Sequence, residues 1–114
     1  MISIEEKQKI LCKKYSMPYQ ATNLSLKVGV SKNLKNTKEP IHGLRLKEEN
    51  GTSGWYFWSG EWSDDIDFFV PIHGYHLNDW SNQILSYLGL PEYARFIIDC
   101  DYEDVWVDET LLLS

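Results

Sequence analysis

The chain has 114 residues, 43% of them hydrophobic and 14% aromatic, enough for one domain with a single core, and its composition excludes a disordered or low-complexity segment. Its formal net charge of -6 is unevenly spread: residues 1–48 hold ten basic and four acidic side chains, residues 49–114 one and thirteen. Unless the two halves intermix in space and cancel, the acidic half suits a basic partner and argues against nucleic acid, whose phosphates need clustered Lys and Arg.

Met1 to Lys9 lacks the basic-then-apolar layout of a secretory signal, and no run of about 18 apolar residues occurs, so a cytoplasmic protein without membrane contact is expected. Cys12 and Cys100 are then expected as reduced thiols, too few for a zinc site. Ser3-Ile4-Glu5-Glu6 is a capping box and predicts a helix from Ile4 to Lys14. Ile4, Leu11 and Tyr15, with Ile10 nearby, form its apolar side, the lysines spread over the rest, and Pro18 ends it.

Leu24, Leu26, Val28 and Val30 alternate with Ser25, Lys27 and Gly29, the period of a half-buried strand. Ser31 to Pro40 reads as a loop, and Ile41 to Lys47 as a second strand with Leu44 and Leu46 inward. Asn50-Gly51 tolerates positive φ and predicts an antiparallel hairpin into the aromatic run Trp55-Tyr56-Phe57-Trp58. Side chains alternate along a strand, so four adjacent aromatics must serve both faces, and this strand is expected at the centre of the sheet.

Phe68 to Ile72 is strand-like, with Pro71 assigning it to an edge or a strand end. Asn78 reads as the N-cap of a second helix, Asp79 to Leu88, whose stripe is Trp80, Ile84, Leu85 and Leu88. Gly89 then fits a left-handed position, followed by Leu90 and Pro91. Phe96 to Ile98 reads as a strand, Asp99 to Asp104 as an acidic turn and Val105 to Val107 as the last strand. The expected architecture is one α+β domain over residues 1–114, a mainly antiparallel sheet of about five or six strands with two helices.

No catalytic constellation emerges. His73 and His76, with Asp64, Asp65 and Asp67 upstream, suggest a metal only weakly, because a strand-to-helix connection is not a regular helix face. Adjacent Asp64 and Asp65 give no fixed separation for acid and base, Gly54 and Gly60 suit turns, and no cofactor is expected. Two segments instead combine negative charge with an aromatic anchor, as protein interfaces do. One is Glu61, Trp62, Asp64, Asp65 and Asp67; the other is Tyr102, Glu103, Asp104 and Trp106 with Asp108 and Glu109. The plainer alternative is solvated loops beside core tryptophans.

The segments Lys27-Val28-Gly29-Val30, Pro40 to Arg45, Gly54 to Glu61, Ser63 to Pro71 and Tyr102 to Trp106 resemble, in the same order, those of immunity protein family 33, related to domain of unknown function 2185. The resemblance covers nearly the whole chain. It implies a small bacterial cytosolic protein that neutralises a polymorphic toxin, and it brings no catalytic residues. Together with the acidic segments it implies a non-enzymatic binder of a cognate toxin, a basic one such as a nuclease being the best match in charge. The second expectation is a small-molecule or peptide-binding module with a pocket lined by Trp55, Tyr56 or Trp58.

Overall fold

Ser3 caps the first helix as its sequence requires: its Oγ accepts from the Glu6 amide at 3.1 Å, and helix α1 runs Ile4–Lys14. In the computed structural model, which describes residues 2–113, α1 lies against one face of a sheet. Leu11, Cys12 and Tyr15 turn toward that sheet, while Ile4 and Ile10 are 43% and 57% exposed. The buried stripe therefore starts at Gln8, whose Nε2 donates to the Leu85 carbonyl at 2.9 Å, and Ile4 falls outside it. The Cys12 thiol donates to the Gly89 carbonyl at 3.1 Å. Cys12 is buried, Cys100 is exposed, and both are free.

Six strands form the sheet in the order β4-β1-β3-β2-β5-β6. They span Lys27–Ser31 (β1), Ile41–Arg45 (β2), Thr52–Ser59 (β3), Phe69–His73 (β4), Ala94–Asp99 (β5) and Tyr102–Val107 (β6). Every pairing is antiparallel except β1 with β3. Asn50 and Gly51, at φ 51° and 83°, make the expected tight reversal between β2 and β3. Pro71 sits on edge strand β4, where its missing amide costs no ladder bond.

The aromatic strand divides as its pleat dictates. Trp55 and Phe57 are 1% and 0% exposed and join the core beneath the helices. Tyr56 and Trp58 point to the opposite face. The register places Ile41, Gly43 and Arg45 beside Ser59, Phe57 and Trp55 on the helix side, so Leu44, buried as expected, and half-buried Leu46 pack on the face away from the helices. Arg45 sets this phase. Only 1% exposed, it donates through Nη1 to the Gln20 and Leu90 carbonyls, both at 2.7 Å, and through Nη2 to Ala21 at 3.1 Å. The three carbonyls, on segments that lie on the helix side, hold the guanidinium there through Nη1 and Nη2, while its buried Nε finds no partner.

Four further features depart from expectation. β1 begins at Lys27, because Asn23 Oδ1 accepts from the Ser25 amide and hydroxyl and turns the chain before it. The second helix starts earlier and breaks: a 3-10 turn at Gly74–His76 leads into α2, Leu77–Trp80, and after extended Ser81 a 3-10 helix covers Asn82–Tyr87. Asn78, Asp79, Ser81 and Asn82 all compete with helical hydrogen bonding, so the segment is discontinuous and Asn78 caps nothing. Gly89 does not take positive φ; it is required for space, since a Cβ there would meet the Tyr19 ring at 2.7 Å. Finally, the acidic turn shrinks to Cys100-Asp101, and Tyr102, Glu103 and Asp104 belong to β6.

Candidate functional site

The face of the sheet turned away from the helices is floored by aromatic side chains. The His42 ring stacks on Trp58 with centroids 5.1 Å apart and planes 6° from parallel. Burial, reinforced by the nearby Arg95 charge, pushes the His42 pKa down, so the stack holds a neutral imidazole at neutral pH. Arg95 lies 6.0 Å from the Trp58 ring and 5.8 Å from the Trp106 ring, and its Nη1 pairs with Asp108 Oδ2 at 3.0 Å. Tyr56 and Phe69 continue the floor in an edge-on contact at 5.3 Å.

The loop from Gly60 to Phe68 folds over one part of this floor. Trp62 approaches Trp58 edge-on at 5.0 Å and Phe69 at 5.4 Å, yet remains 53% exposed. Its Nε1 donates to Asp64 Oδ1 at 3.0 Å. Ser63 Oγ accepts from the Asp65 amide at 3.1 Å, and Asp65 Oδ1 accepts from the Asp67 amide at 3.0 Å, so the loop is shaped by its own polar side chains. Glu61, Asp64, Asp65 and Asp67 are exposed. A cleft of roughly 410 Å³ lies between the loop and the sheet face, lined by Leu44, Tyr56 and Phe69 from the sheet and by Trp62, Asp64 and Asp65 from the loop. Leu111, from the segment after β6, also lines it.

Strand register brings the second acidic segment to the same end of the sheet, because Ile41 pairs with both Ser59 and Ile98, and Ile98 with Glu103. β6 stands three places from β3, a separation of roughly 14 Å at normal strand spacing. The pleat then splits the segment. Tyr102, Asp104 and Trp106 belong to the aromatic face, whereas Glu103 turns to the helix side. Its Oε1 accepts from Tyr15 Oη at 2.6 Å and Lys14 Nζ at 2.9 Å, and its Oε2 accepts from Tyr87 Oη. Burial raises the Glu103 pKa, but the tyrosine hydroxyls and then Lys14 outweigh it, and the carboxyl ends below the usual range. Burial and that same carboxylate push Tyr87 far above an ordinary phenol.

Glu103 and Asp108 are thus engaged within the protein, while Glu61, Trp62, Asp64, Asp65, Asp67, Tyr102 and Asp104 present their side chains outward. Lys14 with Glu103 is the one ion pair, among the described residues, that joins the basic and acidic halves of the chain. The lysine loop before β2 reaches the same end of the sheet, where Lys35 lies 4.9 Å from the Trp80 ring. Arg95, His42 and Phe69 were not among the candidates from sequence; only their place in the sheet register connects them to Trp58, and Phe68 meets Trp62 at 5.9 Å through the fold of the loop.

Among the described residues, no three His, Cys, Asp or Glu side chains group so as to hold a metal, and the His73 and His76 rings stand 6.4 Å apart. No described helix is long and apolar enough to cross a membrane. Of the aromatics proposed to line a pocket, Trp58 is covered by His42 and Trp62, and Tyr56 lines the cleft; Trp55, with its side chain packed in the core, borders with Tyr56 only a smaller hollow of roughly 190 Å³.

The fold and this face together define a small α+β domain whose sheet is helix-packed on one side and lined with aromatics and carboxylates on the other. The chain belongs to the Imm33-like domain family, whose sequence profile matches residues 7–108. No curated protein and no solved structure matches it.

Proposed function

We propose that this chain is a bacterial, cytoplasmic immunity protein that binds a cognate toxin and blocks it without catalysing a reaction. The observation that carries this reading is the Imm33-like match, which spans nearly the whole domain. The proposed contact surface is the outward set Glu61, Trp62, Asp64, Asp65, Asp67, Tyr102 and Asp104. Trp62 supports it: a half-exposed tryptophan held by an aromatic floor and bonded to the Asp64 carboxylate combines a rigid anchor with charge. Glu103 and Asp108 are left out, because their carboxylates already hold Tyr15, Tyr87, Lys14 and Arg95. A basic toxin, such as a nuclease, matches the charge of this surface.

The competing reading, a pocket for a small molecule or peptide, is the weaker one because Trp55 and Trp58 are occupied by internal packing. Co-purification and calorimetric titration with the toxin encoded beside this gene test the proposal. Micromolar or tighter binding is expected; no binding contradicts it.

A further inference from the structure

Resting on that reading, we infer that the cleft under the Gly60–Phe68 loop is an arginine socket, which takes one arginine side chain from the partner protein. Leu44, Tyr56 and Phe69 of the sheet face line it from below, and Trp62, Asp64 and Asp65 line it from the loop. Aromatic faces attract a guanidinium, a lining carboxylate accepts its hydrogen bonds, and apolar side chains cover its methylene stem. The carboxylates are available for this. Each uses Oδ1 within the loop, Asp64 toward the Trp62 indole and Asp65 toward the Asp67 amide, and among the described residues neither is in an ion pair.

The same sheet face already uses this combination internally. Arg95 lies between the Trp58 and Trp106 rings while its Nη1 holds Asp108 at 3.0 Å. The cleft repeats those partners, aromatic rings and a carboxylate, facing solvent. Arginine fits better than lysine because its planar group stacks on a ring and bonds a carboxylate in one geometry.

The test is a titration of the full chain with N-acetyl-arginine amide, and separately with the neutral isostere N-acetyl-citrulline amide, following the Trp62 indole N–H resonance by NMR. The resonance is assigned from its loss in Trp62→Phe. Expected is a saturable, salt-sensitive shift with the arginine amide and a much smaller one with citrulline. In Asp64→Asn/Asp65→Asn, whose fold is checked by its amide spectrum, arginine affinity should fall about threefold to tenfold. No shift at the solubility limit, equal shifts with both amides, or unchanged affinity in the double variant would overturn the socket. A toxin that binds wild type and double variant equally removes the socket and leaves the immunity reading standing. A toxin that binds neither removes the reading, and the socket's claim on a partner with it.

Discussion

Trp62 Nε1 donates to Asp64 Oδ1 at 3.0 Å, so the most exposed tryptophan of the aromatic face is tied to one of the carboxylates beside it. The bond fixes the indole against Trp58 and Phe69 before any partner arrives, which lowers the entropy lost on binding. Trp62→Ala is therefore expected to weaken toxin binding by about 2 kcal/mol or more, the range of an interface anchor. Half of its surface is already in water, so fold stability should fall by only about 1 kcal/mol. Calorimetry for the first and urea unfolding for the second separate the two effects.

Glu103 locks α1 to β6 through Tyr15, Tyr87 and Lys14. Glu103→Gln should cost about 1–2 kcal/mol, allowing for the side chain's partial access to water. Because the folded protein holds this carboxyl below its usual range, the unfolded chain binds the proton first as pH falls. The stabilisation is complete at neutral pH and declines from about pH 5 downward, until the folded carboxyl protonates as well. Urea midpoints measured across that window should fall less steeply for Glu103→Gln than for wild type, while toxin affinity at neutral pH stays unchanged.

Arg45 is the counterpart at the other end of the sheet. A lysine there has one nitrogen in place of a fork and cannot reach the Gln20, Ala21 and Leu90 carbonyls together. Arg45→Lys should destabilise by about 2–3 kcal/mol in urea unfolding.

Gly43 faces Phe96 across the β2–β5 pair, and a Cβ at this position would meet the Phe96 ring at 2.2 Å. Gly43→Ala should cost about 1–3 kcal/mol, the scale of an overpacked core. The near-ultraviolet dichroism, which senses the Tyr87, Phe96 and Trp55 packing, should change with it.

Period and punctuation carried most of the fold. The N-cap at Ser3, the Asn50-Gly51 reversal, the edge proline and the two-sided aromatic strand each express one local rule that tertiary packing did not override. Which face of the sheet Leu44 takes was not legible, because hydrophobicity asks only that it be buried and only the three distant carbonyls explain why Arg45 takes the helix side. The broken second helix was hidden for a related reason: its apolar spacing is helical, but its Asn, Asp and Ser residues interrupt it. In the candidate site, the sequence named the acidic loop and its tryptophan but not Arg95, His42 or Phe69, which meet Trp58 through strand register alone. It also grouped Glu103 with Asp104, which the pleat sends to opposite faces.

The most direct test of the account is the association rate of the chain with its cognate toxin, measured by stopped flow over a range of salt concentrations. If the acidic rim steers a basic partner, Asp64→Lys/Asp65→Lys should slow association by about tenfold or more at low salt and flatten the salt dependence. A double variant that associates at the wild-type rate with the wild-type salt dependence would contradict it.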